Sequence, residues 1–260
     1  MRLVIGLAAS AAVVSFAASV SGADQDEEGE SFRMVNRVYV GDDEKPQVQS
    51  TTIFLADTVY DFLDSPPEVT VFDKGRGRFV LLDLTRRVKT ELTTHRVSSL
   101  ADRLQVWART QSDPFLKFLA DPVFEEEYDQ EAGELALASD WMTYRLTTVP
   151  AASRTISRQY RDFSDWYARL NTTLNPGSRP PFARLKVNDA LDTRGRLPRE
   201  VLLSMRSKTG VLAKRITVRS EHKLSVGLAE ADQDRVAQVG EFLTIFTPVS
   251  FERYQDRISD

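Results

Sequence analysis

The stretch Glu68–Leu84, EVTVFDKGRGRFVLLDL, sets the fold, because it holds two short apolar runs around a turn and neither run has a wet side. Lys74-Gly75-Arg76-Gly77 supplies the turn, so the runs read as a β-hairpin. On the first strand Val69 and Val71 share one face while Thr70 and Phe72 share the other; on the second, Phe79 and Leu81 oppose Val80, Leu82 and Leu84. A sheet packed on one side and solvated on the other alternates apolar with polar residues. Here both faces carry apolar bulk, so the second must meet helices, a partner or a ligand.

Similar segments lie to either side. Phe32–Val40, Gln49–Leu55 and Val59–Leu63 precede the hairpin and Val88–Thr93 follows it, with turn residues such as Gly41-Asp42-Asp43, Ala56-Asp57 and Ser65-Pro66-Pro67 between them. This pattern predicts an antiparallel meander. Val97, Leu100, Leu104 and Trp107, with Ala101 and Ala108, recur at helical spacing and predict an amphipathic helix over 96–111 that covers the sheet. Asp113-Pro114 opens a short helix that Pro122 stops. Strands over 124–129, 134–138 and 141–148 come next. A helix over 152–174 then carries Ile156, Tyr160, Phe163, Tyr167, Leu170 and Leu174 on one side, and a shorter helix covers 182–191. Strands over 199–205 and 212–228 flank a turn at Lys208-Thr209-Gly210, and Val236, Val239, Leu243 and Phe246 mark a last helix that Pro248 ends. Strands grouped in runs predict the α+β class: a curved antiparallel β-meander, half-barrel-like, covered by amphipathic helices in a single domain over 31–260.

The N-terminus speaks to compartment. Arg2, the apolar run Leu3–Val20 and the small residues Ser21-Gly22-Ala23 read as an export signal with cleavage after Ala23, a retained membrane anchor over Leu3–Val20 standing as the alternative. Residues 24–30 are then an acidic flexible leader. The whole chain carries a net charge of −4, and removing Arg2 with the signal makes it −5, which argues against a nucleic-acid partner. The chain has no Cys, so its stability must come from a packed core rather than disulfides. Together these predict export to a bacterial periplasm or the cell exterior.

Catalytic signals are sparse. His95 and His222 are the only two histidines, so a multi-histidine metal site is ruled out, and thiol chemistry is absent with Cys. No Gly-x-Ser-x-Gly elbow occurs. His95 reads as a strand-to-helix junction residue, and His222, beside Glu221 and Lys223, as a surface one. Lys74-Gly75-Arg76-Gly77-Arg78 lacks the context of a phosphate loop and reads as a hairpin turn. Glu125-Glu126-Glu127, Asp129, Glu131 and Glu134 read as a solvated hairpin, because consecutive carboxylates on a strand point to both faces. Arg154, Arg158, Arg161 and Arg169 read as edges of an aromatic core stripe formed by Tyr160, Phe163, Trp166 and Tyr167. No catalytic residue, metal or cofactor is assigned.

The element order resembles that of the half-barrel periplasmic lipoprotein-carrier and related envelope lipid-carrier proteins. It covers most of the chain beyond residue 23, departing in the extra helix between Ala152 and Leu191 and in the acidic start. The resemblance implies an apolar cavity on the concave side of the sheet that shields acyl chains, and it hands over no individual residue. The expected function is a non-catalytic binding or carrier protein of the cell envelope, with a lipid-like or other apolar small molecule as ligand and an envelope protein as candidate partner. An extracellular polymer hydrolase with unplaced carboxylates, and a structural or interaction module, stand as alternatives. Phe54, Tyr60, Phe62 and Phe72 are expected to form one aromatic wall across neighbouring strands, either as ligand contact or as plain core.

Overall fold

A computed structural model describes residues 30–175, 177–206 and 215–256. The expected signal with Ala23, most of the acidic leader and the turn at Lys208-Thr209-Gly210 lie outside the described residues. Within them one twelve-stranded sheet organises the chain. Strands β1 (Phe32–Val40), β2 (Val48–Leu55), β3 (Thr58–Leu63), β4 (Glu68–Asp73), β5 (Arg78–Asp83) and β6 (Val88–Thr93) lie side by side as the predicted meander. A second meander, β7 (Glu125–Asp129), β8 (Glu134–Ala138), β9 (Met142–Pro150), β10 (Arg196–Arg206) and β11 (Arg215–Val226), continues from the far side of β1. The two halves join where β1 pairs antiparallel with β11, Asn36 opposite His222. One edge is β7; the other is the two-residue β12 (Thr247–Pro248), parallel to β6. The sheet is therefore open, curved and mostly antiparallel, consistent with the half-barrel class.

Helices cover both faces. α1 (Thr94–Thr110), α2 (Pro114–Ala120), α3 (Arg154–Leu174) and α4 (Phe182–Thr193) lie on the inner face, and α5 (Glu230–Ile245) lies on the outer one; the short α6 (Phe251–Gln255) packs beside β6. Asp113 caps α2 as predicted, its carboxylate accepting from the Phe115 N–H at 2.7 Å. Ser153 caps α3 in the same way, accepting from the Ile156 N–H at 3.1 Å. The buried stripe of α1 is narrower than expected: Val97, Ala101 and Ala108 are buried, while Trp107 is 51% exposed. α1 packs mainly on α2 and α3, and the two alanines let those helices approach closely where an indole would hold them apart.

Two separate cores explain why both faces of the meander are apolar. The inner core gathers Phe32, Phe54, Phe72, Phe79 and Leu92 from the first meander, Leu135, Tyr144 and Val201 from the second, and Ile156, Tyr160, Phe163 and Leu170 from α3. The outer core holds Ile53, Phe62, Val69, Val71, Val80 and Leu82 beneath Val239 and Phe246 at the α5 end. Removing this much apolar surface from water is the main stabilising term. α3 is fixed to α4 through Asp192, which accepts from Ser157 Oγ at 2.7 Å and from Arg161 Nη1 at 3.1 Å. Burial alone would raise the Asp192 pKa, but the Ser157 hydroxyl and the guanidinium groups of Arg161 and Arg154 outweigh it and hold the carboxyl below its usual range.

Candidate functional site: an inner-face cavity

A cavity of about 740 Å³ lies between the inner face of the sheet and α3, within the range of small-molecule sites. Its sheet wall comes from alternate residues, which the pleat aims to one side: Met34, Asn36 and Val38 on β1; Val48, Ser50, Thr52 and Phe54 on β2; His222 on β11. α3 contributes Tyr160, Phe163, Tyr167 and Ala168. Val48, Asn171, Gly177 and Arg179 are exposed members of the lining and mark its mouth, whereas Phe54, Met142 and Phe163 are buried at depth. Phe54 stacks on Phe32 with ring centroids 4.0 Å apart and meets the edge of Phe163 at 5.5 Å.

Across the floor runs a polar chain. Asn36 donates through Nδ2 to Thr52 Oγ1 at 2.9 Å and to Ser50 Oγ at 3.2 Å, and Thr52 Oγ1 donates to Asp61 Oδ1 at 2.7 Å. With its Nδ2 thus engaged, the Asn36 carbonyl faces His222 Nδ1 at 2.8 Å as acceptor, so the imidazole proton sits on Nδ1. His222 Nε2 is then the acceptor for the Ser220 hydroxyl at 3.0 Å. Tyr167 and Ser50 also donate to Asp61. Burial pushes the Asp61 carboxyl above the ordinary range, and the hydrogen bonds from Thr52, Tyr167 and Ser50 pull it part of the way back. The Asp61 charge, then burial, drives the Tyr167 phenol well above its usual value and keeps it a donor. His222 is pushed down to about 3, first by burial and then by the Arg184 guanidinium, and so stays neutral over the ordinary pH range. Its side chain is half-buried, facing the cavity rather than bulk water. The described polar atoms of this chain all have partners, so the floor presents a satisfied surface to whatever fills the space.

The Ser220–His222–Asn36 order has the connectivity of a hydrolytic triad, but an imidazole with a pKa of about 3 is too weak to act as general base near neutrality, and Ser220 does not line the cavity. Ser220 and Lys223 also match the Ser-x-x-Lys spacing of serine–lysine hydrolases. On β11 that odd offset sends the two side chains to opposite faces. Reading His222 as a surface residue is likewise corrected: Glu221 and Lys223 face away from it on the other side of the strand.

The expected aromatic wall divides. Val59 lies opposite both Phe54 and Phe72, which places those two rings on the inner face. Tyr60 lies opposite Ile53 and Val71, and Phe62 opposite Thr51 and Val69, so both belong to the outer face, where Arg235 sits 4.2 Å above the Phe62 ring. Phe54 alone of the four lines the main cavity; with Phe72 it also lines a neighbouring one of about 340 Å³. His95 is exposed in the first turn of α1, and Glu125, Glu126 and Glu127 are exposed on edge strand β7. The Lys74 turn is tied to α3 by an ion pair to Asp162 at 2.6 Å. Arg161 is engaged by Asp192 and Asp189, and Arg169 lies over Trp166.

No protein-family model matches the chain, and no curated protein matches it. Among solved structures, a LolA-superfamily protein from Nitrosomonas europaea is similar over 79% of this chain and 89% of its own, with a TM-score of 0.27 and 5% sequence identity. That is a slight likeness of arrangement, and neither residue nor ligand is transferred from it.

Proposed function

We propose that this chain is an exported binding or carrier protein that encloses one lipid-like or otherwise apolar small molecule between the inner face of its sheet and α3. The single observation that carries this reading is the 740 Å³ cavity, walled by Phe54, Met142, Tyr160 and Phe163 and floored by a polar chain that leaves no unmet partner. An apolar body loses nothing against such a floor and gains by leaving water. The hydrolase alternative draws little support from the carboxylates: Asp61 is the one acidic residue in the described lining, and a glycosidase needs two facing each other. Export follows from the N-terminal signal, and intact mass of the secreted protein should show a chain beginning at Asp24. No helix among the described residues is long and apolar enough to cross a membrane.

The test is binding of N-phenyl-1-naphthylamine, a neutral apolar fluorophore, together with mass spectrometry of an organic extract of the purified protein. Wild type should bind the dye. Leu203→Glu, which puts a carboxylate into the lining where it can hydrate, should abolish binding while leaving the fold intact. A wild-type protein that binds no dye and brings no apolar molecule through purification overturns the reading.

A further inference from the structure

The mouth of the cavity is built differently from its depth. Arg179 and Arg184 both line it, and neither has a carboxylate partner among the described residues. Nearby, Arg154 and Arg161 on α3 and Arg194 just past the end of α4 do find one, whereas Arg158 and Arg169, which do not line the cavity, have none among the described residues. Among the described residues the one side-chain bond of Arg184 is Nη2 donating to the Tyr160 hydroxyl at 3.2 Å, which leaves most of its donor fork open toward them. Both cations act on groups deep in the cavity: Arg184 and Arg179 each pull against the burial that raises Tyr144, and Arg184 disfavours protonation of His222. Ser178, next in the chain to Arg179, also lines the cavity, and its Oγ is buried with no partner among the described residues. Finally, α4 begins at this lip with Pro181 as an N-cap that supplies no side-chain acceptor, and its first turn contains no acidic residue. The positive end of that helix is therefore uncompensated where Pro181 and Ala183 line the cavity.

We propose that the mouth is an oxyanion site, so that the ligand is an anionic amphiphile whose carboxylate or phosphate headgroup is held by Arg179, Arg184 and Ser178 while its tail runs inward to Phe54 and Phe163. This rests on the cavity reading above and adds the polarity and orientation of the ligand. Guanidinium forks suit both headgroups, because each offers two oxygens at matching spacing.

Displacement of N-phenyl-1-naphthylamine at pH 8 by dodecanoic acid, dodecyl phosphate and dodecanol, which share one tail, tests the idea. The two anions should displace the dye at about tenfold lower concentration than the alcohol. In Arg179→Gln/Arg184→Gln the dye should still bind and the preference should vanish, whereas Arg184→Lys should keep part of it. Inorganic phosphate alone, followed by calorimetry, should not bind at millimolar concentration. Equal potency of acid and alcohol on wild type, with the dye bound, overturns the oxyanion site and leaves the cavity reading standing. Tight binding of inorganic phosphate overturns the amphiphile in favour of a free-anion site. Failure of the dye to bind wild type removes both readings.

Discussion

At the scale of single residues, His222 shows what a strand pattern conceals. Its neighbours Glu221 and Lys223 make it look solvated, yet every second residue of β11 belongs to the other face, where Asn36, Ser50, Thr52 and Asp61 form the cavity floor. None of these polar residues was singled out from the sequence, because what joins them is not local: β1 and β11 are nearly two hundred residues apart in the chain. A folded-state pKa of about 3, against the ordinary value of 6.5, has a definite consequence for stability. Between those values the unfolded chain binds a proton that the folded one refuses, so stability falls as pH drops from about 6.5 toward 3. The slope from this one group is at most about 1.4 kcal/mol per pH unit, and less because the side chain is only half-buried. Urea unfolding of wild type and His222→Gln at pH 7, 6 and 5 measures it, since glutamine keeps hydrogen-bonding capacity without titrating there. The wild type should lose more stability than the variant over that range; parallel pH profiles would mean that His222 is freely solvated in the folded state.

At the scale of elements, the succession of strands and helices along the chain was legible because turn residues and helical spacing are local signals, whereas the face of each strand depends on register. The loops between β2 and β3, β3 and β4, and β4 and β5 contain even numbers of residues: Ala56-Asp57, residues 64–67 and residues 74–77. An even loop makes facing residues differ in parity, so Phe54 and Phe72 reach the same face through odd-numbered Val59 while Tyr60 and Phe62 turn away. The assignment is testable at Phe62, which is 7% exposed beneath α5. Phe62→Glu should bury an unpaired carboxylate and cost at least about 3 kcal/mol, read as loss of the cooperative thermal transition or a large drop in its midpoint. Docking of α5 also uses a polar contact: Asp232, 2% exposed, accepts from the Ala229 N–H at 3.1 Å and pairs with Arg33 at 3.3 Å. Asp232→Ala removes a cap and strands a partly buried guanidinium, so unfolding free energy should fall by about 1–3 kcal/mol. A change below about 0.5 kcal/mol would show that α5 is held by its apolar face alone.

At the scale of the whole molecule, the cavity is a product of long-range closure and has no local sequence signal. It exists because β11 returns to pair with β1, bringing the second meander alongside the first, while the segment between β9 and β10 folds into α3 and α4 across the inner face. Such a space leaves wall atoms without contacts, so the empty protein forgoes packing energy that a ligand supplies. Binding and folding are thereby linked. A ligand at one hundred times its dissociation constant should add about 2.7 kcal/mol of stability, a rise of about 5–10 °C in unfolding midpoint for a chain of this size. Ala168→Phe tests whether that gain comes from filling the cavity. Ala168 lines it from the half-buried side of α3, so the added ring can enter the space at depth rather than displace core. The variant should unfold at or above the temperature of unliganded wild type, because cavity filling commonly contributes about 0.5–2 kcal/mol. It should also lose the shift produced by dodecanoic acid. If Ala168→Phe lowers the midpoint by more than the wild type gains from ligand, the ring has been forced into a close-packed interior, and the space between α3 and the sheet is core rather than a binding site.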